Sequence, residues 1–314
     1  MSDSVSGDSD GAGAVREWSP GRPLDLHRTL GPLRRGAGDP AYRVEADNSI
    51  WRAVRTPDGP GTMRLALRRG TASVMGRAWG PGAGWLLDRI PRLCGDDDRP
   101  EDFVPAHPLL ADALARNPGW RITRSDALVE VLIPCILEQK TTGRQARASW
   151  RTLVRQYGEP APGPVPPGLR VPPAPATWAQ IPSWDWHKAG VEPGQSKAVI
   201  DACRHAGRLE ETLQLGTAVA DQRLRAVPGI GGWTSAECRQ RSHGDPDAVT
   251  VGDFHLPHLV GVALIGRRVD DAGMLELLEP YRGHRYRVTR LIELSGLKNP
   301  RYGPRITIQD HRAH

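Results

Sequence analysis

The segment Leu224-Arg225-Ala226-Val227-Pro228-Gly229-Ile230-Gly231-Gly232-Trp233-Thr234-Ser235-Ala236 is built as a tight turn between two helices. Pro228 has no N–H to donate and blocks continuation of the helix that leads in. Gly229 and Gly231 bracket one apolar residue and permit positive φ and close approach of another backbone. Ile230 is expected to drop between the two helices and fix their angle, with Thr234 near the start of the second. The amides of such a turn, together with the positive end of the following helix, form a concavity that suits a phosphate oxygen. A contact of this kind holds a nucleic-acid strand without reading its bases. A P-G-x-G turn alone serves equally well as a plain connection between helices.

Downstream lies Gly244-Asp245-Pro246-Asp247-Ala248-Val249-Thr250-Val251-Gly252-Asp253-Phe254, a loop that ends on an aspartate expected to open the next helix. Aspartate is a favoured helix N-cap, so Asp253 has a structural role available beside any chemical one. Asp245 and Asp247 are expected to shape the loop.

The pattern helix, V-P-G-I-G-x-W-T-x-A, helix, followed by G-D-P-D-A and Asp253, resembles the helix–hairpin–helix (HhH-GPD) superfamily of base-excision DNA glycosylases. Ile136-Leu137-Glu138-Gln139 is similar to the I-L-x-Q that ends an early helix in the inducible 3-methyladenine glycosylase II branch. Pro280-Tyr281-Arg282-Gly283-His284-Arg285-Tyr286 is similar to the P-[WY]-R-x-x-R that begins its last core helix. The likeness spans residues 40–296 and is strongest over 224–254.

The resemblance implies a set of roles. Asp253 would be the catalytic carboxylate. Val227, Pro228, Gly229, Ile230, Gly231 and Thr234 would form the phosphate-binding hairpin, and Trp233 would line the base pocket, where an aromatic face suits an electron-poor alkylated purine. Gln139 and Lys140 stand where the family places its DNA wedge, although a lysine suits a phosphate contact better than intercalation. Main-chain carbonyls of Arg225, Val227 and Ile230 would hold a structural Na+ or K+, with no cofactor required. The branch that also cuts the strand carries a lysine two residues after the second hairpin glycine; this chain has Trp233, which implies a hydrolase without lyase activity. The expected substrate is an alkylated, 3-methyladenine-type base in double-stranded DNA, bound by a monomer. Alternatives are another oxidised or deaminated lesion, a non-catalytic DNA-binding module, or a structural role in a repair complex. His284 and Arg287 replace residues that are often aromatic in that branch.

The rest of the 314-residue chain narrows the field. No run approaches the length of a membrane span. The start, MSDSVSGDSDGAGA, lacks a basic or apolar leader; a soluble protein of the cytoplasm, associated with the nucleoid, is expected. Cys94, Cys135, Cys203 and Cys238 never form a C-x-x-C pair, which argues against disulfide, zinc or iron–sulfur frameworks. His255 and His258 lack a third metal ligand, and the glycine-rich turn of Gly76 and Gly80 to Gly84 lacks the P-loop spacing, so no nucleotide cofactor is expected. The net charge is +6 and arginine carries nearly all of it, as phosphate contacts favour and as a GC-rich genome would also give.

An α+β fold is expected: a small antiparallel β domain, then a mostly helical HhH-GPD body of two lobes. Residues 1–22 read as a disordered tail, 23–105 as the β-rich domain, 106–297 as the helical domain and 298–314 as a C-terminal tail. Strands are expected at Tyr42–Ala46, Ile50–Val54, Met63–Leu67 and Thr71–Trp79, because short apolar-rich runs are cut by turn-formers, and Met63, Leu65 and Leu67 alternate with Arg64, Ala66 and Arg68. Ser125 is expected to cap a helix that Pro134 kinks or breaks, and a second helix runs from Thr142 to Tyr157. The proline-dense residues 159–176 read as an extended surface connection. Further helices are expected over 195–208, 217–225, 233–241, 253–265, 271–279 and 284–295.

Overall fold

The structure, a computed structural model, describes residues 13–68 and 73–297. The strands β1 (Ala14–Trp18), β2 (Tyr42–Val44), β3 (Ile50–Thr56), β4 (Gly59–Leu67) and β5 (Val74–Trp79) form one antiparallel sheet in the order β1-β5-β4-β3-β2. Met63 and Leu65 of β4 point into the core while Arg64 and Ala66 stay partly exposed, the alternation of a half-buried strand. The disordered tail expected through residue 22 gives way at Ala14. Strand β1 pairs with β5 from Ala14↔Ala78 to Trp18↔Val74, so main-chain pairing organises a segment whose composition offers little to bury. Residues 1–12 and the tail from 298 lie outside the described residues.

The helices of the first half are α1 (Leu26–Leu30), α2 (Ala83–Asp88), α3 (Ile90–Leu93), α4 (Pro108–Arg116), α5 (Leu128–Leu137) and α6 (Gly143–Tyr157). A two-stranded ribbon, β6 (Glu159–Pro160) with β7 (Arg170–Val171), follows. Then come α7 (Pro175–Gln180), α8 (Ser183–Lys188), α9 (Pro193–Arg204), α10 (Ala206–Glu210), α11 (Thr217–Arg225), α12 (Gly232–Ser242), α13 (Leu256–Ile265), α14 (Asp271–Leu278) and α15 (Arg285–Leu294).

One expectation about α5 is corrected, and of the two alternatives for Pro134 the break is excluded. Ser125 does not cap it; the helix starts three residues later, and the Glu210 carboxylate accepts from the first amides, Leu128 N at 3.2 Å and Val129 N at 2.9 Å. Pro134 sits inside α5 without ending it, because every residue of the helix but Glu130 is buried and packing outweighs the lost hydrogen bond. Helix α6 starts as expected, with Thr142 and Gln145 closing a reciprocal capping box. The proline-dense connection is more than surface chain. Ala161, Leu169 and Val171 are buried in a cluster with Trp51 and Trp79, whose rings stack at 5.3 Å.

Besides the small cluster around Trp51 and Trp79, two larger apolar cores occur among the described residues. The larger runs from the sheet through α5 and α6 to α9, the hairpin and α12, so the sheet shares its core with the helices. The smaller gathers α4, Trp120 and Ile122 with α13, α14 and α15. The chain crosses from one core to the other between α12 and α13, where Asp253 lies.

Candidate active site

The hairpin joins α11 to α12. Val227 and Ile230 are buried and clamp the turn from below, with Ile230 N donating to Val227 O at 3.0 Å. Pro228, Gly229, Gly231 and Gly232 form the exposed rim. Gly229 has φ +86°, and a Cβ there would stand 2.8 Å from the Ala198 Cβ of α9. Gly231 does not use that freedom: its φ of −92° with ψ −177° is ordinary extended backbone at the N-cap of α12, and a Cβ would meet nothing. Glycine there leaves open space over the first-turn amides of α12, which have no partner within the helix. The Thr234 side chain faces inward. It is 2% exposed, and its hydroxyl accepts from Gln139 Nε2 at 2.8 Å, facing the protein and not the rim.

Asp253 is half-buried and its two oxygens have different surroundings. Oδ1 accepts from His255 N at 2.7 Å and Leu256 N at 2.8 Å, the contacts of an N-cap aspartate. Helix α13 itself begins at Leu256, three residues beyond the carboxylate. Oδ2 lies 3.5 Å from the indole Nε1 of Trp233, on the first turn of α12. Trp233 and Asp253 are therefore brought together, twenty residues apart in sequence.

Side chains that sequence spacing did not reveal hold the loop ahead of Asp253. Gln240 Nε2 donates to Ala248 O and to Thr250 Oγ1, both at 2.9 Å. The Thr250 hydroxyl in turn donates to Glu237 Oε1 at 2.8 Å. Asp271, opening α14, accepts from Gly252 N at 3.1 Å. Asp245 pairs with Arg239, and Asp247 accepts from Gly283 N and Arg285 N, so both aspartates shape the loop as expected. A cleft of about 580 Å³ runs beside the hairpin between α11 and this loop. Its carboxylates are committed to Ser235, Arg239 and Arg285, which distinguishes it from the Asp253 side.

Gln139 acts as a latch. Its amide donates to Gly229 O at 2.9 Å as well as to Thr234, tying the end of α5 to the hairpin. Gln195 of α9, which the sequence left unremarked, is buried and donates to Leu137 O and Gln139 O. Lys140 comes next, exposed and in the left-handed region at φ +50°. The corner is thus pinned on one side and free at its tip. Arg287, by contrast, is wholly buried and forked onto Asp98, beneath the Trp120 ring; it builds the smaller core. Of the carbonyls expected to hold a cation, that of Val227 already accepts from Ile230 N and retains one lone pair. His258 Nδ1 lies 3.0 Å from Val269 O, and no cluster of three metal-ligating side chains occurs among the described residues.

No protein-family model matches the chain. It is 30% identical over 180 residues, 54% of its length, to the "probable bifunctional transcriptional activator/DNA repair enzyme AlkA" of two Mycobacterium tuberculosis strains. The match covers 34% of those proteins, so the chain spans about a third of the length of the curated relatives it matches. Among solved structures it is similar to the 3-methyladenine DNA glycosylase of Archaeoglobus fulgidus, with TM-score 0.72, 13% identity and coverage of 89% and 98% of the two chains. It is also similar to the Clostridium acetobutylicum 8-oxoguanine glycosylase/lyase, with TM-score 0.70, 11% identity and coverage of 93% and 98%. MBOgg1 in complex with a low-affinity DNA ligand gives TM-score 0.70 at 16% identity, covering 94% of this chain and 98% of that one. The protein has the helix–hairpin–helix DNA-glycosylase fold.

Proposed function

We propose that this chain is a DNA glycosylase that hydrolyses the bond between a damaged base and its deoxyribose, with an alkylated, 3-methyladenine-type base as the first candidate. The observation that carries the reading is the split use of Asp253. Backbone amides fix one oxygen, while the other faces the indole of Trp233 at the seam between the two cores. Departure of the base leaves positive charge on the sugar. A carboxylate already oriented by main-chain hydrogen bonds stabilises that charge without reorganising. The same oxygen orients the water that attacks C1′ and takes up its proton.

The substrate nucleotide must leave the stack to reach this seam. In this account the rim of the hairpin holds a neighbouring phosphate, Gln139 and Gln195 keep the corner in place, and Lys140 contacts the strand. A Na+ or K+ on the carbonyls of Arg225, Val227 and Ile230 would add positive charge beside that phosphate. Trp233 offers an aromatic face to the extruded base and no amine, so no Schiff base forms and the strand is left uncut. The protein would act as a monomer on duplex DNA in the cytoplasm, at the nucleoid, and need no cofactor.

Duplexes carrying alkylated, oxidised or deaminated bases test the reading, with free base detected by mass spectrometry and Schiff bases trapped by borohydride. Release of alkylated base without a trapped adduct is expected. Release of an oxidised or deaminated base alone would shift the substrate. DNA binding with no release from any lesion would favour the non-catalytic module, and a trapped adduct would contradict the monofunctional mechanism.

A further inference from the structure

Helix α6 begins three residues after Lys140, and its sequence, GRQARASWRTLVRQY, contains four arginines and no acid. Arg144, Arg147, Arg151 and Arg155 recur at spacings of three and four, so they line one face. Ala146, Ser149, Trp150, Leu153 and Val154 occupy the opposite, buried face. Three of the arginines are exposed and Arg151 is half-exposed. Among the described residues none of the four makes an ion pair, although arginines elsewhere commonly do, as Arg116 with Asp112 or Arg241 with Glu237. A face kept merely soluble usually mixes charges of both signs at such spacings.

The ridge also has a built support. The segment Arg34-Arg35-Gly36-Ala37-Gly38 passes under the arginine stems. A Cβ on Gly36 would stand 2.6 Å from Arg147 Cδ, and one on Gly38 3.0 Å from Arg151 Cδ. Arg34, exposed and bonded through Nε to Gly36 O at 3.2 Å, adds a fifth cation. The two glycines let the stems lie flat against the backbone while the guanidinium groups stay outside.

We infer that this ridge is a second DNA-binding surface, which grips the phosphates of the duplex arm leading away from the Lys140 corner. From Arg144 to Arg155 the helix rises about 16 Å, the axial length over which one strand presents about five phosphates. Four to five cations along that line match the charge of one strand. Guanidinium groups pair with phosphate oxygens through two parallel N–H donors, and the ridge joins the corner that Gln139 ties to the hairpin. The inference rests on the proposed reading of the chain as a DNA-binding glycosylase.

The test is binding of the full chain to undamaged duplex over a series of salt concentrations. Wild type is compared with the variant Arg144→Gln, Arg147→Gln, Arg151→Gln, Arg155→Gln, and with the two half-variants in case the fourfold change lowers solubility. The ridge predicts that the slope of log Kd against log salt falls by about 3 to 4 in the full variant and by about half that in each half-variant. It also predicts that base release at saturating duplex changes by less than about twofold, because the ridge positions DNA and takes no part in the chemistry. An unchanged slope, which would leave the ridge to an acidic protein surface or to solvent, overturns the proposal. So does wild type that binds no duplex, and that result overturns the glycosylase reading with it. A ridge-dependent slope in a protein that releases no base supports the ridge and contradicts only the chemistry.

Discussion

Asp253 shows how one carboxylate can hold two roles, because its oxygens are separable. The amides of His255 and Leu256 need only an acceptor, which a neutral amide oxygen also supplies; the reacting sugar needs the charge. Arg287 illustrates the opposite case, a charge whose place is structural. It is 0% exposed and paired with Asp98, whose Oδ2 also accepts from Ile122 N at 3.0 Å. Removing one member of a buried pair strands the other, so Arg287→Met is expected to cost about 3–5 kcal/mol. Urea denaturation reads that loss. A change below about 1 kcal/mol would show the pair to be solvated. The sequence marked Arg287 only as a departure from the aromatic residues of the branch it resembles, and the fold places it in the smaller core.

At the scale of elements, the hairpin depends on Gly229 more than on Gly231. Gly229→Ala places a Cβ at φ +86° and 2.8 Å from the Ala198 Cβ, with a left-handed penalty of about 1–2 kcal/mol before the contact is counted. Duplex affinity is expected to fall by tenfold or more while the unfolding transition stays cooperative, whereas Gly231→Ala is expected to keep the fold and to lose affinity only by crowding the phosphate. Equal affinity in both variants and wild type would remove the hairpin from the interface. Most elements were legible in the chain because their signals are local: alternation in β4, turn-formers on either side of β3, Thr142 before α6, Pro228 after α11. What stayed hidden depends on partners far away. Glu210 caps α5 from 82 residues downstream, Gln195 secures the end of that helix from α9, and β1 exists because β5 offers it an edge. The pair of Asp253 and Trp233 was legible as two motifs, but the contact between them was not.

For the molecule as a whole, His243 links stability to pH. It lies just past the end of α12, 8% exposed, and burial, reinforced by the nearby charges of Arg124 and Arg239, lowers its pKa from 6.5 to about 4. The folded protein therefore binds this proton less readily than the unfolded chain. Its contribution is complete above pH 6.5 and is lost as the pH falls towards 4, on the order of 3 kcal/mol in total. Denaturation midpoints at pH 7 and pH 4.5 should differ more in wild type than in His243→Gln; parallel pH dependence in the two proteins would contradict this origin. Because α12 carries both the hairpin amides and Trp233, acid should weaken DNA binding together with the fold.

The most direct measurement is single-turnover release of free base from an alkylated duplex by wild type and by Asp253→Asn, at protein in excess over DNA and with matched unfolding midpoints. Wild type should release base, and the variant at a rate at least about 100-fold lower, with duplex binding retained. Equal rates in the two proteins would contradict a catalytic role for Asp253.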